Sequence, residues 1–125
     1  MAHLKRILLV EDDESLRTLY KEEFLHNNFE VIEAEDGQLG IDYALQYKPD
    51  IILLDLMLPR QGGLGVLRIL RSMPETKTMP IIILTALPNP EYQAMAKDRV
   101  SGFYLKTKIT PAELLAKVQA VLKEK

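Results

Sequence analysis

Three short, almost uninterrupted apolar runs govern what this chain can fold into: Ile7-Leu8-Leu9-Val10, Ile51-Ile52-Leu53-Leu54 and Ile81-Ile82-Ile83-Leu84. Each is rich in β-branched or γ-branched aliphatics and is bounded by polar or turn residues. A strand with one face in water alternates apolar and polar positions, whereas a strand apolar on both faces must be covered on both, as in parallel sheets. Two weaker strands are predicted at Glu30–Ala34, around Val31 and Ile32, and at Phe103–Lys106. Helical spacing fills the gaps: Leu16, Leu19, Tyr20 and Phe24; Leu39, Ala44 and Leu45; Leu64, Leu67 and Leu70. A fourth, weaker helix is predicted from Glu91 to about Asp98. The last one carries Leu114, Leu115, Val118 and Leu122 and opens on Thr110-Pro111 with Glu113 three residues after the threonine, the spacing of a capping box. Alternating strands and helices predict an α/β fold of βαβ units, a (βα)₅ doubly wound five-stranded parallel sheet with helices on both faces.

At 125 residues and 47% hydrophobic content the expectation is one domain over residues 1–125, with a core that needs no disulfide or metal. The absence of cysteine removes disulfide frameworks, thiolate zinc sites and cysteine nucleophiles, and points to the cytoplasm. Met1-Ala2-His3-Leu4-Lys5-Arg6 leads into an apolar stretch that acids end at once, so no signal peptide is drawn, and no run approaches the ~20 residues of a membrane span. A formal net charge of −2 provides no footprint for direct nucleic acid binding. The chain closes on the helical pattern Glu113 to Lys125, so no output domain is expected within it.

Function is read from the residues just past each strong strand. The first run leads into Glu11-Asp12-Asp13, the second into Asp55, the third into Thr85-Ala86, and the last strand closes on Lys106. In a parallel sheet these carboxyl ends share one edge, where ligands of open α/β folds bind. Alone, each residue has a plainer role: acids that cap the first helix, a turn aspartate before Pro59, a strand-end threonine, an edge lysine. Together they fall on one rim. Three carboxylates brought together repel, and a cation relieves them. With oxygen ligands only, the suited ion is hard, and Mg²⁺ is expected rather than an enclosed Ca²⁺ cage. Phosphoryl chemistry is the usual occupation of such an ion.

The chain resembles the response-regulator receiver family along nearly its whole length. The likeness is carried by Leu8-Leu9-Val10-Glu11-Asp12-Asp13, Ala34-Glu35-Asp36-Gly37, Pro49-Asp50 through Leu58-Pro59, Gly63, Leu84-Thr85-Ala86, Tyr104-Leu105-Lys106 and Thr110 through Leu115. The resemblance implies a flavodoxin-like strand order 2-1-3-4-5. It implies Asp55 as the phosphoacceptor, with Mg²⁺ held by Asp12, Asp13, Asp55 and the backbone carbonyl of Met57. Lys106 would pair with a phosphoryl oxygen, and Thr85 and the aromatic Phe103 would act as the switch. Implied partners are a sensor histidine kinase or histidine phosphotransfer protein and a downstream effector protein, met as a monomer or as a phosphorylation-dependent dimer. Such a chain is a phosphoacceptor and not an enzyme, beyond self-catalysed phosphorylation and dephosphorylation.

Three places depart from the family pattern. Thr107 comes after Lys106 where many relatives have proline; Phe103 lacks a hydroxyl; and the loop Leu87-Pro88-Asn89-Pro90 carries two prolines before the weak fourth helix. Tyr104, one position on from Phe103, should face the opposite side of its strand. These departures leave room for a degenerate receiver that acts as a phosphorylation-independent interaction module. A phosphatase of the haloacid-dehalogenase type would need an acid two residues beyond the nucleophile, and Met57 stands there.

Overall fold

The computed structural model describes residues 4–59, 62–86 and 89–123. Five parallel strands, β1 (Arg6–Val10), β2 (Glu30–Ala34), β3 (Ile51–Asp55), β4 (Ile81–Thr85) and β5 (Gly102–Leu105), form one sheet in the order β2-β1-β3-β4-β5. Five helices alternate with them: α1 (Glu14–His26), α2 (Gly37–Tyr47), α3 (Gly62–Ser72), α4 (Pro90–Ala96) and α5 (Pro111–Lys123). This is the doubly wound five-stranded parallel sheet that the alternation of runs predicts, in the flavodoxin-like strand order that the resemblance implies.

The apolar runs are buried on both faces because the pleat sends alternate residues into two separate cores. Leu8, Val10, Ile52, Leu54, Ile81 and Ile83 pack with Ile41 and Ala44 of α2 and Val66, Leu67 and Leu70 of α3. Ile7, Leu9, Ile51, Leu53, Ile82 and Leu84 pack with Tyr20 and Phe24 of α1 and Leu114 and Val118 of α5. Winding reverses between β1 and β3, which pair in the register Val10↔Leu54. The pairs Asp55↔Leu84 and Thr85↔Leu105 bring the other strand ends level with them.

Local signals place the helix starts. Asp13 caps α1 by accepting from the Leu16 N–H, and Asp36 caps α2 by accepting from Leu39. The capping box at α5 forms in full: Thr110 N–H donates to Glu113 Oε1 at 2.9 Å and Glu113 N–H to Thr110 Oγ1 at 3.1 Å. The Thr110 N–H, and next its hydroxyl, hold the Glu113 carboxyl below its usual range. The fourth helix is shorter and starts earlier than its apolar residues predict, because Asn89 caps it through the Tyr92 N–H and Pro90 stands in the first turn, where a missing N–H is harmless. Leu87 and Pro88, from the proline loop singled out in the sequence, lie outside the described residues. Phe103 packs against the α2–α3 core and Tyr104 against the α1–α5 core, the opposed faces expected of neighbours in a strand.

Candidate functional site

Asp55 ends β3 with its side chain buried, at a depth where a carboxylate needs partners. It has two. Oδ1 accepts from the Met57 N–H at 2.9 Å, closing the turn after the strand, and Oδ2 lies 2.9 Å from Lys106 Nζ. Gly63 makes the turn possible: its N–H donates to the Leu56 carbonyl, and a Cβ there would fall 2.4 Å from the Asp55 carbonyl oxygen. The start of α3 can approach the end of β3 so closely only without a side chain.

Lys106 lies just past β5, not within it as the sequence predicts, and opens a 3₁₀ turn over Lys106–Lys108 that carries Thr107. The peptide joining Lys106 to Thr107 is trans. From this turn the ammonium spans two strand ends, reaching Asp55 and, at 2.6 Å, Glu11 Oε1. Burial works against the ammonium, but its bonds to Glu11 and Asp55 outweigh that and raise the lysine above its ordinary value. In stability terms Glu11 behaves oppositely. Burial pushes its carboxyl from 4.5 up to about 6, with the charge of Asp55 adding, while Lys106 and the Asp13 N–H pull against the rise. One ammonium serves two buried carboxylates, and the charge of Glu11 is only partly compensated. Tyr20 forms part of the wall, its phenol raised by burial.

The acids that come together are Glu11, Asp12 and Asp55, each with a carboxylate oxygen within 4.8 Å of the others. Asp13 stands outside this group, contrary to the metal role that the resemblance implies for it, because its carboxylate is engaged at the α1 N-terminus by Leu16. Glu11, named in the acid run but given no metal role by the resemblance, takes the inner position. A signal for it existed: the residue three before Leu16 in an acid run is the natural N-cap, which leaves the two preceding acids for the strand end. Thr85 is buried at the end of β4. Met57 turns its side chain outward, 48% exposed, beside the acids. Phe103 is half-buried and lines a shallow groove with Pro90, Gln93, Ala94 and Lys97 of the α4 region.

A doubly wound parallel sheet with an acid and a lysine paired at its winding reversal, among further acids, defines the class of CheY-like receivers. The chain matches the model of the response regulator receiver domain over residues 7–119. It is 37% identical over 120 residues to the response regulator ArlR of Staphylococcus aureus, an alignment covering 96% of this chain and 53% of that protein. The chain thus spans about half the length of the curated relatives it matches. Among solved structures it is similar to the chemotaxis protein CheY4 of Vibrio cholerae, at 27% identity and a TM-score of 0.86 over 94% of this chain and 98% of that one. It is also similar to the BeF3-activated N-terminal receiver domain of Klebsiella pneumoniae RstA, at 30% identity and a TM-score of 0.85 with the same coverage. The protein belongs to the response regulator receiver domain family of two-component systems.

Proposed function

We propose that Asp55 accepts a phosphoryl group in a Mg²⁺-dependent reaction, from a sensor histidine kinase or a histidine phosphotransfer protein, and that the modified domain engages a downstream effector protein. The observation that carries this reading is the Asp55–Lys106 pair at 2.9 Å inside a group of three acids. An oxygen-only donor set of this charge fits a hard divalent cation that keeps several waters. Asp12, Asp55 and the Met57 carbonyl would hold it, with Glu11 in the place that the resemblance assigns to Asp13. Bound there, Mg²⁺ would supply positive charge to the transferring oxygens.

The rest is done by the chain's own groups. An Asp55 carboxylate oxygen attacks phosphorus, and the new O–P bond forms as the donor's N–P bond breaks, its electron pair returning to the donor imidazole. Lys106 exchanges part of its contact with Asp55 for a phosphoryl oxygen and stabilises the charge gathered there. Thr85, at the next strand end, offers its hydroxyl to the phosphoryl group. That movement and the ring of Phe103 bias the α4–β5 groove, the surface for the effector. A swing of this two-state element from about 1:99 to 99:1 needs ~5.5 kcal/mol of differential stabilisation. A cytoplasmic setting, with turnover limited to self-catalysed phosphorylation and dephosphorylation, belongs to the same reading; no helix among the described residues is long and apolar enough to cross a membrane.

The test is incubation with acetyl phosphate, with and without Mg²⁺, and then mass spectrometry of the intact protein and its peptides. Mg²⁺-dependent addition of one phosphoryl group on Asp55, absent in Asp55→Asn, is expected. Addition elsewhere in the chain refutes the assignment. No addition, together with no spectral response to beryllofluoride and Mg²⁺, favours the phosphorylation-independent interaction module.

A further inference from the structure

The loop that presents Glu11 and Asp12 is held from outside the acidic site. Glu11 N–H donates to the Ala34 carbonyl of β2 at 3.0 Å, and the Glu11 carbonyl accepts from Arg17 Nη1 at 2.8 Å. The backbone N–H of Arg17 donates to the Asp13 carbonyl at 2.9 Å, so one residue of α1 grips both ends of the three-acid turn. The Arg17 side chain is 14% exposed, and its Nε donates to Glu33 Oε1 on β2 at 3.1 Å. The other Glu33 oxygen takes Lys21 Nζ, one helical turn along α1, at 3.0 Å. Burial works against the Glu33 carboxylate, but its bonds to Lys21 and Arg17 hold it below its usual range.

The planar guanidinium therefore does two things at once. Its charge is balanced by Glu33, and its remaining fork fixes a backbone carbonyl next to the acids. Three carboxylates within a few ångströms repel, and a loop free to yield would relax away from Asp55. A restraint on the Glu11 carbonyl opposes this without adding charge to the site's interior. Groups that orient metal ligands from behind tune affinity by about 10–100-fold.

We propose that Arg17 is a positioning residue for the acidic site: with Glu33 as its anchor it sets the spacing of Glu11 and Asp12 from Asp55, and affinity for a divalent cation depends on it. This inference rests on the Mg²⁺ reading of the site. It is tested by calorimetric and amide-NMR titration with Mg²⁺ of the wild type, Arg17→Ala, Arg17→Lys and Glu33→Gln, each with a urea unfolding curve. Arg17→Ala should bind Mg²⁺ about ten-fold more weakly. Arg17→Lys, which can serve the carbonyl but not both partners, should fall between it and the wild type, and Glu33→Gln should shift the same way by less. Phosphorylation rates from acetyl phosphate at saturating Mg²⁺ should stay within about two-fold, since the acceptor is untouched. A lowered unfolding midpoint with Mg²⁺ affinity unchanged would make Arg17 a structural brace and overturn the proposal. If Arg17→Ala does not fold, the other two variants decide by the same criterion. A wild type that takes up no Mg²⁺ sinks the cation reading itself, a result distinct from intact wild-type binding with unaltered variants.

Discussion

Lys106→Met keeps the reach of the side chain and deletes its charge, leaving Glu11 and Asp55 to face each other across a buried gap. Removing one partner from a buried pair costs about 3–5 kcal/mol when the orphaned charge has no escape. Glu11 has one, because its carboxyl already sits at about 6 rather than 4.5. Without the lysine it rises further, and the folded variant takes up a proton. Near pH 7.5, protonating a carboxyl of ordinary value 4.5 costs about 4 kcal/mol, at about 1.4 kcal/mol per pH unit. The wild type already bears about 2 kcal/mol by keeping Glu11 ionised, so the further loss at Glu11 is capped at about 2 kcal/mol. The bond to Asp55, made to a charged group, adds about 1.5–3 kcal/mol. The variant should therefore be about 4 kcal/mol less stable than wild type near pH 7.5. Near pH 5 the Glu11 contribution all but vanishes, and the gap should narrow by about 2 kcal/mol. Urea unfolding monitored by far-UV circular dichroism suits a chain without tryptophan and gives both values. Adding Glu11→Gln to Lys106→Met should recover up to about 4 kcal/mol at the higher pH, the whole cost of protonating Glu11, a non-additivity expected of partners in one network. A gap of the same size at both pH values, or none near pH 7.5, would refute the shared-ammonium account.

The wild type carries the same sign. Glu11 has a folded value above its unfolded one, so its contribution to stability is complete below pH 4.5 and is lost as the pH rises through about 6, by about 2 kcal/mol; Glu11→Gln should flatten that step in unfolding curves. Asp13→Ala should destabilise by about 1 kcal/mol through loss of the α1 cap while Asp13→Asn, an equally good cap, stays near wild type in urea; in calorimetry Asp12→Asn should weaken Mg²⁺ binding and neither Asp13 variant should. Gly63→Ala should destabilise by about 1–3 kcal/mol and slow phosphorylation, because its Cβ meets the backbone of Asp55 and Leu56; unchanged unfolding would show that the turn has slack. Thr76→Val, which removes the buried hydroxyl donating to the Leu70 carbonyl, should lower stability by about 1–3 kcal/mol in the same assay, without altering Mg²⁺ affinity.

Much of this protein is legible before any coordinate. Runs such as Ile51 to Leu54 permit only a strand covered on both faces, and short-range chemistry of the Thr110–Glu113 kind marks where helices begin; both signals lie within a few residues of chain. The rim that gathers Asp55, Thr85 and Lys106 also derives from topology alone, since parallel strands put their carboxyl ends together. Which acid joins that rim does not. Glu11, Asp12 and Asp13 are chemically near-equivalent in sequence; the N-cap spacing to Leu16 favours Asp13 as the cap, but it is the direction in which β1 hands over to α1 that turns Glu11 inward onto Lys106. The division of one ammonium between two carboxylates, and the grip of Arg17 on the Glu11 carbonyl through an anchor on β2, were likewise decided by packing. Those contacts join residues distant in the chain, and their strength depends on burial and on tenths of an ångström, quantities that exist only once the sheet and its helices have closed around them.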